Sequence, residues 1–296
     1  MRKIAVQQVD AFTQQPFSGN PAGVVSQAEN LSDEEMQWIA RELNCSETAF
    51  VLPSKAADLK IRYFTPQTEV NLCGHATVAA LSVLHQEGRV VGPVRVETRA
   101  GILAMEVDME GVAWMEQAAP QFQAFPQGAV PALMSGLSLS RTDLHTDIPV
   151  GLAFTGLWHI LVPVVDRKTL ENAIPNGVEL ARLCQSLGAT TIHLFCFDPI
   201  LAGSHVHTRD FAPAVGVLED PHTGTANGAL GAYLGHLGLL RPGVYSFEQG
   251  WTVQRPGIIQ VHIADASPRV RVGGHAVPVF EGVMYLDNPE SEFDLR

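Results

Sequence analysis

The chain repeats itself. Residues 62–84 read RYFTPQTEVNLCGHATVAALSVL, and residues 209–234 read RDFAPAVGVLEDPHTGTANGALGAYL. Arg62, Phe64 and Pro66 match Arg209, Phe211 and Pro213 at an offset of 147; Gly74 and Ala76 match Gly224 and Ala226 at an offset of 150. The second copy therefore carries three extra residues between two fixed points. Half of the 296-residue chain is 148, so the period is half the chain, which reads as a diverged duplication. A weaker echo links ARELNCSETAFV (40–51) to the segment ending LGATTIHLF (187–195).

Both halves present the same order of local signals. An alternating or apolar strand comes first, then a helix; in the first half this is SDEEMQWIARELN, with Ser32 as N-cap and Glu35 completing a capping box. The strands SETAFVL and TTIHLFCF follow, then a strand ending in Phe-x-Pro, a turn, and a helix opening at Gly74 or Gly224. The Gly74 helix is apolar nearly all round (Ala76, Val78, Ala79, Ala80, Leu81, Val83, Leu84), so it belongs inside a core. Hairpins come next, VRVETRAGILAMEVD turning near Ala100 and Gly101, and IIQVHIADASPRVRVGG in the second half. The Pro- and Gln-rich stretch 118–131 reads as the connecting segment. The expected fold is α+β: two pseudo-symmetric domains, each a curled, mostly antiparallel sheet around one buried central helix. The expected boundaries are 1–118, with the terminal strand 282–296 available to complete it, and 119–281, with the active site in the cleft between them.

Composition removes several classes of function. Nineteen basic residues against 31 acidic ones give a net charge of −12. That disfavours nucleic acid and anionic membrane as partners, since both require clustered Lys and Arg. No apolar run is long enough to span a bilayer, and MRKIAVQQVDAF turns polar before a signal-peptide core can form. Cys45, Cys73, Cys184 and Cys196 form no CxxC pair, which fits a reducing, cytoplasmic setting.

The glycine-rich stretch EDPHTGTANGALG (219–231) raises the possibility of a dinucleotide loop. Pro221 makes the preceding residues a turn rather than a buried strand end, and the glycine spacing is wrong, so the nucleotide reading fails. The duplication suggests another use. Two helix N-termini carry free N–H groups and a partial positive charge. If they face one another across the interdomain cleft, they make a seat for a small carboxylate, with Gly74 and Gly224 allowing close backbone approach. A glycine that merely opens a buried helix would explain either half alone; His75 and Thr225, polar and beside the glycines, favour the site.

Four stretches together, VDAFTQQPFSGNPAGVV, SETAFV, RYFTPQTEVNLCGHATVAA and EDPHTGTANGALGAYL, resemble the PhzF-like phenazine-biosynthesis isomerase family. The resemblance runs through both halves and implies the fold of diaminopimelate epimerase. It also implies that Glu47, which matches the glutamate of the family's SE-[ST] motif, is the catalytic acid/base. NCSETAFVLP is otherwise small and apolar, so a carboxylate there is either paired or has protonation favoured by burial. A Glu at a strand edge facing solvent is the alternative for an isolated residue. Supporting, substrate-binding roles are implied for His75 and for Asp220 and Thr225; an Asx-turn before Pro221 is compatible with such a role for Asp220. A homodimer is implied as well.

In related racemases two cysteines face each other, one per half. Here Cys73 is matched by Thr223, whose hydroxyl cannot act as a base near neutral pH, so a two-thiol epimerase is disfavoured and Cys73 reads as a packed residue. HVH at 205–207 places His205 and His207 on one strand face, but without a recognisable third ligand, so no metal site is expected. No GxSxG elbow is present. The sequence thus points to a cofactor-independent isomerase that moves a proton on a small unsaturated or amino-bearing carboxylic acid, with Glu47 as acid/base and the helix ends at Gly74 and Gly224 binding the carboxylate. The rivals are a racemase or epimerase of a small amino or hydroxy acid, and a non-catalytic carboxylate-binding protein.

Overall fold

A computed structural model describes residues 1–265 and 269–286. Residues 287–296, the greater part of the expected terminal strand, lie outside the described residues, as does the tip of the second-half hairpin. The chain divides into two compact units, Met1–Ala113 with the chain from His275 onward, and Trp114–Gly274.

The first unit's sheet begins with Arg2–Ala11, flanked antiparallel by Ala276–Leu286 on one side and Asn20–Val25 on the other. Asn20–Val25 runs parallel to Thr48–Leu52, which pairs antiparallel with Leu59–Phe64. Leu59–Phe64 runs parallel to Gly92–Thr98, and the hairpin to Gly101–Val107 closes the order, turning at Arg99 and Ala100 as the sequence predicts. The connecting helix, Asp33–Leu43, is held at its start by the Ser32–Glu35 capping box and stopped by Asn44 in the left-handed conformation. The central helix, Gly74–Gln86, is buried over its whole middle because it has no polar face to offer water. It touches Arg2–Ala11, Asn20–Val25 and Ala276–Leu286 near one end of the sheet and Gly101–Val107 at the other. A sheet that meets one helix with both ends must curl around it.

The second unit repeats this plan and adds one strand at the far end. Gly151–Phe154 pairs antiparallel with Trp158–Pro163, which runs parallel to Thr191–Cys196. Val206–Ala212 follows antiparallel, then Gly243–Gln249 parallel, then Gly257–Ile263 and Val270–Gly274 antiparallel. The helix Gly224–His236 fills the centre, buried from Ala226 to Leu234. Both units are thus α+β with a mostly antiparallel sheet about a central helix, the architecture read from the duplication.

The stretch 118–131 is more than a connection. Gln121–Ala124 alternates polar and apolar residues and adds an edge strand to Gly151–Phe154, and Phe122 stacks on His236 of the central helix. It does for the second unit's first strand what Ala276–Leu286 does for the first unit's. Val130–Leu137 then forms a helix with Pro131 in its first turn, where proline is tolerated. Among the described residues no helix is long and apolar enough to cross a membrane.

Candidate active site

Glu47 stands between the end of the helix Asp33–Leu43 and the start of the strand Thr48–Leu52. Its carbonyl accepts from the Gly23 N–H at 3.0 Å, fixing the backbone beside the neighbouring strand. A side chain at position 23 would not fit: a Cβ there would lie 2.5 Å from the Thr48 hydroxyl and 2.8 Å from a Leu43 methyl. The glycine of NPAGVV therefore lets the strand carrying Glu47 come close. The carboxyl itself is about four-fifths buried and faces His75, with Oε2 3.4 Å from Nε2.

His75 is the second residue of the central helix and is 8% exposed. Its Nε2 lies 3.1 Å from the Ser46 hydroxyl, and its Nδ1 lies 3.4 Å from the Cys73 sulfur. Burial holds the imidazole below its usual range, partly opposed by Glu47. The ring is therefore neutral near pH 7, with one nitrogen able to donate and the other to accept. Cys73 is the N-cap residue, and its side chain makes no capping hydrogen bond. Beneath the helix start, Thr77 Oγ1 donates to the Cys73 carbonyl at 2.6 Å and meets the Tyr63 hydroxyl at 2.6 Å.

The second unit brings its expected residues into a cluster of its own. Thr223, the N-cap of Gly224–His236, does not cap that helix; its hydroxyl donates to Asp220 Oδ2 at 2.6 Å. Asp220 thus takes part in a side-chain contact across the turn that leads into the helix. Gln249 ties the group together, donating from Nε2 to the Asp220 carbonyl at 2.8 Å and accepting from Asn227 Nδ2 at 2.7 Å. Asn227 also donates to the Thr223 carbonyl at 3.0 Å. The Thr225 carbonyl accepts from Thr155 Oγ1 at 3.2 Å.

The two central helices share one property that separates them from three of the four other α-helices among the described residues, Val130–Leu137 with Ala129 at its N-cap being the exception. Asp33–Leu43, Arg167–Asn172 and Gly177–Leu187 are each capped by the side chain of the N-cap residue, whereas Gly74–Gln86 and Gly224–His236 are not. Their leading N–H groups keep the capacity to bind an anion.

Sequence reasoning overlooked Ser46, Asn227 and Gln249. Ser46 could have been found from its place beside Glu47, and Asn227 from standing three residues after Gly224, as Thr77 stands after Gly74. Gln249 has no such signal. The HVH histidines part company: exposed His205 accepts from the Ser246 N–H and packs edge-on against Tyr245, while buried His207 meets Glu248 at 2.7 Å.

The profile of the phenazine biosynthesis-like proteins matches residues 9–282. The chain is 36% identical to "Uncharacterized isomerase YfhB" of Bacillus subtilis, over 97% of this chain and 99% of that one. It is 32% identical to the trans-2,3-dihydro-3-hydroxyanthranilate isomerase of Pseudomonas chlororaphis, over 94% and 98% of the two chains. Among solved structures it is similar to a PhzF-family phenazine biosynthesis protein of Bacillus anthracis, with a TM-score of 0.89 at 35% identity, covering 97% of this chain and all of that one. Sequence, fold and relatives agree, and the chain belongs to the phenazine biosynthesis-like family, in which both of these curated relatives are named isomerases.

Proposed function

We propose that this chain is a cofactor-independent isomerase that moves a proton along a small unsaturated or amino-bearing carboxylic acid, with Glu47 as the acid/base. The observation that carries this reading is the Glu47–His75 pair at the uncapped start of a buried helix. A largely buried carboxylate has the lone pair to accept a proton from an acidic carbon and the position to return it. The neutral His75 ring can donate to the carboxylate or to substrate without adding a fixed charge. Uncapped N–H groups at Gly74 supply a seat for the substrate's carboxylate and stabilise the charge that spreads onto it as the proton leaves. Gly224, Thr225 and Asp220 are assigned to substrate binding on the strength of the shared sequence pattern. The relative that isomerises trans-2,3-dihydro-3-hydroxyanthranilate supports the substrate class, since that compound is an unsaturated acid bearing an amine and a hydroxyl.

Trans-2,3-dihydro-3-hydroxyanthranilate is the first compound to test, alongside a thermal-shift panel of small carboxylic and amino acids. A ligand at about a hundred times its Kd adds about 2.7 kcal/mol of stability, a readily measured shift. With a turned-over acid in D₂O, NMR should show deuterium at the newly protonated carbon, diluted by internal return of the abstracted proton, with configuration kept elsewhere. Deuterium at an unchanged carbon with inversion would replace the isomerase with a racemase or epimerase. Tight binding without exchange over hours would make the protein a binder.

A further inference from the structure

We propose that Glu47, Cys73 and His75 form a binding site for a divalent transition cation of the zinc class, and that the bound cation holds the proton-transfer site inactive. The binding clause stands on the donor set and its spacing; the inactivation clause rests on the role given to Glu47 above.

One donor atom from each of the three residues lies within 4.8 Å of the others. Two edges of the triangle are known more closely, with His75 Nε2 3.4 Å from Glu47 Oε2 and 3.9 Å from Cys73 Sγ. Zinc sits about 2.3 Å from sulfur and about 2.0–2.2 Å from nitrogen or oxygen in a tetrahedron, which puts neighbouring donors roughly 3.3–3.6 Å apart. The sulfur, 3.4 Å from Nδ1 and 3.9 Å from Nε2, lies beside the ring rather than along the Nε2 lone pair, so closing the site takes new rotamers of the Cys73 and His75 side chains as well as a turn of the Glu47 carboxyl. Cys73 and His75 both stand at the start of one helix, so the backbone positions of two of the three donors are already set.

The donor set has a chemical preference. Thiolate with imidazole and one carboxylate selects zinc, cobalt, nickel or copper over magnesium and calcium, which favour all-oxygen sites. Three protein ligands leave a fourth tetrahedral position for water or a substrate oxygen. Binding displaces the thiol proton to solvent and occupies the Glu47 and His75 lone pairs, so the loaded protein has no free base at this point. Among the described residues no other cysteine belongs to such a group of donors, and burial pushes the Cys184 and Cys196 thiols up to about 12.

Cobalt(II) titration of the full chain without substrate tests the binding clause, because a cobalt–thiolate bond gives a near-ultraviolet charge-transfer band. The wild type should take up one equivalent with an apparent Kd of about 10 µM or tighter, and zinc should displace the cobalt while millimolar magnesium should not. Cys73→Ser should abolish the band and weaken uptake at least about tenfold; Glu47→Gln should weaken uptake but keep the band. Circular dichroism verifies that both variants fold. No band up to about 100 µM cobalt, or a band that survives Cys73→Ser, overturns the site. Once a substrate is in hand, zinc should suppress turnover and a chelator restore it. Binding without suppression would remove the inactivation clause and count against Glu47 as the base.

Discussion

The two units place opposite chemistry on the same frame. Phe50 pairs with Arg62 in the first sheet and Leu194 with Arg209 in the second, so Glu47 corresponds to Thr191. The helix N-caps match Cys73 to Thr223, and therefore His75 to Thr225. Every chemistry-bearing residue of the first cluster stands where the second unit has a threonine. The interior is reversed. In the second unit Thr191 donates to Asp210 at 2.8 Å and meets His159 at 2.8 Å, and His193 lies 2.9 Å from the same Asp210 oxygen, all of them buried. The matching first-unit positions are Ala22, Glu47, Ala49 and Tyr63, and Tyr63 turns its hydroxyl to Thr77 instead. The second unit locks its carboxylate inside a polar network. The first clears that network away and leaves its carboxylate facing one neutral imidazole.

The sharpest way to break this contrast is to remove each partner of the Glu47–Thr191 match. Glu47→Gln should fold normally and lose at least about a hundredfold in turnover of whichever acid the screen returns. Thr191→Val should leave turnover within about threefold while costing about 1–3 kcal/mol of stability, because it strips His159 and Asp210 of a buried partner. Equal kinetic losses would show that the polar network belongs to the reaction.

The interiors can be compared by equilibrium unfolding in urea. Asp210→Ala removes the acceptor of both Thr191 and His193 and should cost about 3 kcal/mol or more. Tyr63→Phe removes one hydroxyl from a pair whose other member still bonds the Cys73 carbonyl, and should cost about 1 kcal/mol. Similar costs would mean that the two interiors are equally reliant on polar contacts.

The duplication made the fold legible, because the same order of strand, helix and turn signals occurs twice and each central helix has no polar face. The chemistry was legible only where residues lie close in sequence. Glu47 and His75 stood out as members of motifs, but their approach across the fold did not, and neither did the contact between His75 and Cys73. Cys73 reads in sequence as a packed residue and is indeed buried, yet its sulfur lies against the imidazole. The stretch 118–131 misled because its Pro and Gln content suggests a connector. Its short alternation, Gln121 to Ala124, was overridden as a signal by that composition, although the neighbouring edge strand had room for it.

The pH dependence of stability carries the comparison further. Burial holds His159 down at about 4, opposed by Asp210 and assisted by His193. In the unfolded chain an imidazole titrates near 6.5. Between those values the unfolded state binds the extra proton, so stability falls as pH drops from about 6.5 to about 4, by on the order of 3 kcal/mol. Urea midpoints across this range should show the slope, and His159→Leu should reduce it. The first unit has Ala22 at this position, and its own buried His75, also held low, contributes a slope of the same sign that remains in His159→Leu; a slope unchanged in His159→Leu would assign the effect elsewhere.

The smallest expected difference concerns the arginines that first revealed the duplication. Each makes a two-pronged pair with a glutamate, Arg62 with Glu69 at 2.8 and 2.9 Å and Arg209 with Glu219 at 2.9 and 2.8 Å. Each guanidinium also lies over the phenylalanine two residues on, Phe64 or Phe211. The remaining nitrogen is used differently. Arg62 reaches Asp33, whose side chain is 79% exposed, so water can replace the contact. Arg209 is 6% exposed and donates to the carbonyls of Leu170 and Ala173, both at 2.8 Å, at the end of the helix Arg167–Asn172. A lysine cannot reproduce the fork and leaves those carbonyls without their donor. Arg209→Lys should therefore cost about 2 kcal/mol in urea unfolding, and Arg62→Lys about 1 kcal/mol or less. If the two substitutions cost the same, the shared glutamate pair supplies the stability and the buried carbonyl contacts of the second unit supply none.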